Sequence, residues 1–291
     1  MPYEDFQAKL IERLRFYPRP DSKAYLPFLV DEKILGWLRP DFINDLLKDE
    51  EALLCEKGVV TFHSRFTDSR IRSEAMADLL QRKKILIPGW RNELFPVMTK
   101  WGEEPMFFIE RAAAPLFGIL AFGVNLIGYI KKADGLYFWL GRRALQKQVA
   151  PGALDVTAGG GLPAGLSIRE NLSKEAQEEA GIPPSLMDRV ESIGHISFAL
   201  ETEIGLRREY QFNFALELPG DFRPKPVDGE VSEFLLLHQD ELIAQLQGSD
   251  LFIVDTVFVL TDFFLQRKLV NWQAQKNVSL QNLLRQPIDL C

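Results

Sequence analysis

The sequence predicts an α/β fold, a mixed sheet packed between helices and preceded by a small α+β unit. Three observations predict it. The texture of the chain changes near residue 112, from amphipathic helical segments separated by short extended pieces to a strand-rich pattern. From Pro115 onward, strand-like apolar runs alternate with segments of helical period, which is the pattern of a sheet covered by helices. One of those helices, starting near Ser167 and closing at Gly181, carries the signals for both of its ends. At 291 residues, 46% hydrophobic and 26% charged, the chain can bury a core in each of two domains, expected at 1–112 and 113–291.

In the first unit the spacing of apolar residues predicts a helix over 6–16, an extended piece over 25–30 and an amphipathic helix over 39–47. A short strand over 59–62 and a second amphipathic helix over 69–82 follow. In the second unit, strands are expected at 118–130, 136–140, 195–202, 208–216 and 231–237. Helices are expected at 168–180, 240–246 and about 255–268.

Composition excludes several classes of function. A net charge of −7 without a Lys/Arg block argues against nucleic acid as a partner. The longest apolar stretch, 112–130, is broken by Pro115, Gly118, Gly123, Asn125 and Gly128, so no membrane span is expected. The first twenty residues mix charged and apolar groups and hold no signal-peptide core. Cys55 and Cys291 are far apart in sequence and read as unpaired thiols, which points to a reducing compartment, the cytoplasm by default. His63, His195 and His238 lack metal-ligand spacing, and no Ser or Cys sits in a nucleophile motif. Oligomeric state leaves no mark in the sequence.

The chemistry concentrates on the helix at 168–180. Ser167 followed by Glu170 is a capping box, and Gly181 with Pro183 beyond it is a stop. Ile168, Leu172 and Ala176 fall on an inward face, whereas Glu175, Glu178 and Glu179 gather within one turn of an adjacent face. Like charges at that spacing repel, and the C-terminal half of a helix disfavours anions. A hard divalent cation with oxygen ligands compensates both; magnesium is the expected ion, with manganese able to replace it. The plain alternative is a solvated acidic face. Gly159, Gly160 and Gly161 weigh against it, because glycines let the backbone approach a ligand or present carbonyls to a metal.

This segment resembles the Nudix box, with Gly160, Lys174, Glu175, Ala176, Glu178, Glu179, Gly181 and Ile182 in the matching places. Leu166 stands where that box has its first Glu, and Lys174 replaces an Arg. The stretches 118–129, 139–143 with Lys147, 151–155 and 228–234 resemble the Nudix domain associated with thiamine pyrophosphokinase. Residues 89–97 and the pair Gly36-Trp37 are similar to the N-terminal domain of unassigned function that accompanies it. Asn125 stands where that branch has a His. The resemblance implies a Nudix α/β/α sandwich and metal-assisted attack of water on a diphosphate. It implies that Glu175, Glu179 and the Gly159 carbonyl hold magnesium, with Glu178 a further ligand or the water-orienting base. A late carboxylate completes such a site; Glu230 fits, with Glu233 the alternative on the opposite face of the strand. The implied substrate is a small-molecule diphosphate, thiamine diphosphate or an oxidised analogue, cleaved to the monophosphate and phosphate. Alternatives are ADP-ribose, a dinucleotide or a nucleotide sugar, and, in another class, a non-catalytic Nudix-like binding module.

Five further residues are candidates for substrate binding. Arg142, Arg143 and Lys147 follow a strand and precede the glycines, where a diphosphate would be met; a solvated basic turn is the plain reading. Trp90 and Arg91 could meet a flat heterocycle, against simple packing of the Trp.

Overall fold

Apolar residues spaced four apart make the first helix amphipathic, and α1 forms over Phe6–Phe16 with Phe6, Leu10 and Leu14 buried. In the computed structural model, which describes residues 6–48, 50–248, 250–270 and 274–290, that stripe does not pack on the strands that follow it. It joins the core of the C-terminal half, beside Leu242, Phe258 and Leu280.

Next come β1 (Leu26–Val30), β2 (Lys33–Leu38), α2 (Pro40–Leu46), β3 (Leu53–Glu56), β4 (Val59–Phe62) and α3 (Ser69–Arg82). The four strands form a sheet in the order β2-β1-β4-β3, with β1 and β4 parallel. Asp68 caps α3 by accepting from the Ile71 N–H, and buried Arg72 makes a two-pronged contact with Asp31 at 2.7 and 2.9 Å. A hairpin of β5 (Leu94–Val97) and β6 (Phe107–Glu110) closes this part. The strands β2, β3, β5 and β6 exceed expectation. They are four to six residues long, and Gly36 and Pro96 lie inside two of them, residue types that argue against strand on local grounds.

The second half holds β7 (Leu120–Lys132), β8 (Gly135–Arg143), β9 (Leu154–Asp155), β10 (Ala158–Gly161), α4 (Ile168–Ala180) and α5 (Pro184–Met187). Then come β11 (Glu191–Thr202), β12 (Gly205–Glu217), β13 (Val231–His238), α6 (Gln239–Leu246), α7 (Val254–Gln266) and α8 (Ala274–Leu284). The sheet runs β11-β12-β7-β8-β13, with β10 on β7 and β9 on β8; β12 and β7 are parallel and the other pairs antiparallel. It is a mixed sheet between helices, the α/β/α sandwich the sequence implies. α8 is an addition to the expected helices, and the glycine run, which no strand expectation covered, is the strand β10.

Alternation along β7 assigns its two faces. Phe122, Val124, Leu126 and Ile130 pack under Leu172, Ala176 and Ala180 of α4. Ile127 and Tyr129 point the other way, with Phe258 and Phe263 of α7. On that second face the positions before Ile127 are Ala121, Gly123 and Asn125, small or polar, and there the sheet is left open as a cleft. Gly118 joins the two halves: its φ is +55°, and a Cβ would lie 2.4 Å from the Trp37 carbonyl oxygen. Buried Arg208 ties the same junction by donating to the Gly118 carbonyl at 2.9 Å and the Ile288 carbonyl at 2.6 Å. Among the described residues no helix is long and apolar enough to cross a membrane. Cys55 is a free, exposed thiol; Cys291 lies outside the described residues.

Candidate functional site

Local chemistry fixes α4, and α4 fixes its carboxylates. The Ser167 hydroxyl accepts from the Glu170 N–H and the Glu170 carboxylate from the Ser167 N–H at 2.9 Å, while Gly181 closes the helix in a left-handed conformation. With that register Glu175 and Glu179 lie beside β10, and each glycine of the run has its own steric reason. A Cβ on Gly159 would lie 2.8 Å from the Val124 carbonyl oxygen, one on Gly160 2.7 Å from the Glu175 carboxyl carbon, and one on Gly161 2.3 Å from the Phe95 ring. Opposite Asn125, the Gly159 N–H leaves the ladder and donates to Glu179 at 2.8 Å. In a strand the N–H and C=O of one residue share a side, so the Gly159 carbonyl named as a ligand is directed away from β7 as well.

Glu179 is 8% exposed, and burial raises its pKa well above the ordinary carboxylate value. The Gly159 N–H opposes that rise, and the nearby charges of Asp155, Glu175 and Glu230 add to it. Burial also raises Glu175, against the pull of Lys174. Carboxylate oxygens of Glu179, Asp228 and Glu230 lie within 4.8 Å of one another. Burial acts to raise Glu230 too, yet its contact with Lys147 and the fields of Arg111 and Arg91 hold its pKa below the usual value. Among the described residues no cationic side chain pairs with Glu179. A buried anion left so is costly, and an oxygen-only donor set of this kind suits a hard divalent cation. Glu178 stands apart: it is half-exposed and pairs with Lys174 at 3.2 Å, while its backbone carbonyl accepts from the Asp228 N–H. Lys174 also reaches Glu175 at 3.3 Å, so this departure from the box still braces two of its carboxylates.

Through Glu230, Asp155 and Gly159 this site opens onto a cleft of about 280 Å³ on the open half of the sheet. Arg91, Arg143 and Lys147, all expected from sequence, line it together with Arg111. Trp90 and Arg142 do not. The Trp90 indole N–H donates to Asn92 at 2.8 Å and Lys84 sits 4.7 Å over its ring. Arg142 turns to Glu233 at 2.6 Å and to the Gly152 carbonyl, because alternation along β8 sends neighbouring arginines to opposite faces. Glu233 is thereby occupied, and Glu230 is the one beside Glu179. Reasoning from sequence missed Asp228, Asp155, Arg111 and the group Arg207, Glu209 and Asp255. Asp228 lay in view, two residues before Glu230; Arg111, held by Glu93 at 2.7 Å, left no local signal.

Comparison with known proteins places the chain in a family. Residues 7–121 match a family model described as a domain of unknown function, DUF4743. Nudix hydrolase 20, chloroplastic, of Arabidopsis thaliana is 33% identical over 272 residues, which cover 90% of this chain and 73% of that protein. Nudix hydrolase 24, chloroplastic, of the same plant is 33% identical over 265 residues with the same coverage. A solved MutT protein from Methanosarcina mazei Go1 is 18% identical over 53% of this chain and 96% of its own, with a TM-score of 0.39, a likeness too distant to carry argument. With relatives of that identity and coverage, the chain belongs to the Nudix hydrolase family and is an enzyme that hydrolyses diphosphate linkages.

Proposed function

We propose that the enzyme hydrolyses thiamine diphosphate, or an oxidised analogue of it, to the monophosphate and inorganic phosphate. One observation carries the chemistry: a buried Glu179 carboxylate with Asp228 and Glu230 within 4.8 Å and, among the described residues, no cationic partner of its own. Glu175, Glu179, Asp228, Glu230 and the Gly159 carbonyl would hold magnesium, or manganese. Bound there, the ion supplies charge neutralisation for the diphosphate oxygens. Arg91, Arg111, Arg143 and Lys147 border the same cleft and receive phosphate oxygens, the arginines through planar forks suited to them. Glu178, the most exposed of the three clustered carboxylates Glu175, Glu178 and Glu179, is the candidate to take the proton of the attacking water. Residues 1–112 contribute to the pocket, since Arg91, Phe95 and Arg111 stand on its rim. The thiamine part of the reading rests on the stretches that resemble the thiamine-associated branch. Cys55, free and exposed, supports a reducing compartment such as the cytoplasm.

The test is a panel of diphosphates with magnesium, read by product. Orthophosphate from thiamine diphosphate or its oxidised forms supports the reading. Two monophosphates from ADP-ribose or a dinucleotide, with thiamine diphosphate inert, replace the substrate but keep the chemistry. Binding without turnover of any of them overturns the catalytic assignment.

A further inference from the structure

The wall of the cleft formed by β12 and the start of α7 is an ion cluster that the hydrolytic chemistry leaves unused. Alternation along β12 puts Arg207, Glu209 and Gln211 on the face of the sheet that the cleft occupies. The Arg207 Nη2 is 3.1 Å from Glu209 and 3.0 Å from Asp255, which stands in the first turn of α7. Gln211 donates to Asp255 at 2.9 Å and accepts from Asn125 at 2.7 Å, so the cluster reaches the floor of the cleft through fixed amides.

Two features of this wall point to a ligand. First, a partly buried ion cluster is a weak source of stability, since its groups give up hydration and apolar residues of the same volume serve a core as well. Here it replaces the apolar packing that Ile127 and Tyr129 provide further along the same face. Second, the floor before it is nearly free of side chains. Ala121, Gly123 and Gly161 present little more than backbone, and the Phe95 ring stands over Gly161. A slot with a flat floor and an aromatic edge admits a planar ring, and the wall then offers a guanidinium donor directly beside a carboxylate acceptor.

We propose that Arg207 and Glu209, held by Asp255 and Gln211, recognise the part of the substrate beyond its diphosphate. They select a planar heterocycle whose edge carries a hydrogen-bond acceptor next to an N–H donor, as in an amidine-like or amide-like ring. This rests on the diphosphate-hydrolase reading and deepens it by naming the chemistry of the organic half. Arg207 meets the acceptor and Glu209 the donor; the cations that line the same cleft, Arg91, Arg111, Arg143 and Lys147, meet the phosphates.

The experiment compares full-length wild type, Glu209→Gln and Arg207→Lys on three magnesium diphosphates. Thiamine diphosphate has an amidine-like edge, its pyrimidinone analogue an amide-like edge, and phenylethyl diphosphate a flat ring with neither. Wild type should favour at least one edge-bearing substrate over the phenyl compound by ~100-fold in kcat/KM, the scale on which a site built to hydrogen-bond rejects a partner that cannot. Both variants should cut that ratio at least about tenfold while the phenylethyl diphosphate rate stays within about twofold. Equal losses on all three substrates, or an unchanged ratio, overturn the proposal. A lowered melting temperature with an unchanged ratio overturns it too, and makes the cluster a tie between β12 and α7. If wild type cleaves ADP-ribose and neither thiamine compound, the thiamine reading fails. The wall is then judged by the same variants on ADP-ribose, whose adenine has an amidine-like edge, against phenylethyl diphosphate.

Discussion

Two groups of carboxylates meet at the cleft, the first through Glu230 and the second through Glu209 and Asp255, and they are held in opposite ways. Around α4 and the 228–230 turn, Glu179 is buried with Asp228 and Glu230 close by, and among the described residues no side chain of opposite charge pairs with it. Between β12 and α7, Glu209 and Asp255 share the Arg207 guanidinium at 3.1 and 3.0 Å. The first group is complete only when a cation is added, so its free energy is tied to a ligand. The second is hydrogen-bonded by the chain itself, through Arg207 and Gln211, which fixes the directions of its donors and acceptors. A family chemistry common to many substrates belongs in the first kind of site; discrimination among them suits the second.

Four experiments break or sharpen that contrast. The largest effect should come from Arg207→Ala, which strands two carboxylates in the cleft wall. Removing one partner of a buried ion group costs about 3–5 kcal/mol, to be seen in urea denaturation with or without magnesium. A loss below about 1 kcal/mol would show that the wall is solvated and not internally balanced. Glu179→Gln should keep the fold and lower turnover at least ~100-fold, about 2.7 kcal/mol at the transition state. Near-full activity in that variant would remove the α4 group from the chemistry.

Magnesium at ~100 times its dissociation constant should stabilise the wild type by about 2.7 kcal/mol, because only the native state assembles the carboxylates. Glu179→Gln should lose most of that shift and Arg207→Lys none of it. An equal shift in all three proteins would put the ion elsewhere. The smallest effects separate two neighbours in the first half of the chain. Arg91→Ala should raise KM a few-fold with kcat little changed, the mark of uniform binding, whereas Trp90→Ala should leave both within about twofold. A KM change for Trp90→Ala larger than for Arg91→Ala would return the indole to the cleft, against its contacts with Asn92 and Lys84.

What the sequence determined by itself is what a few neighbouring residues can settle. The ends of α4 follow from Ser167, Glu170 and Gly181, whose hydrogen bonds span three or four positions, and the one-turn grouping of its glutamates follows from helical period. The bounds of α1 and α3 were legible for the same reason. Tertiary structure alone decided which distant segments meet. It carries α1 across to α7 and α8, and it makes a strand of three glycines that have no side-chain pattern to read. It turns Arg143 toward the cleft and Arg142 away, a choice that alternation states only as opposite. It also brings Arg111, Asp228 and Glu230 to within the field of Glu175 or Glu179 from loops and strand ends scattered over about 120 positions. The physical reason is range: caps and periodicity act through the chain, whereas strand pairing and charge meet through space, where sequence distance carries no information.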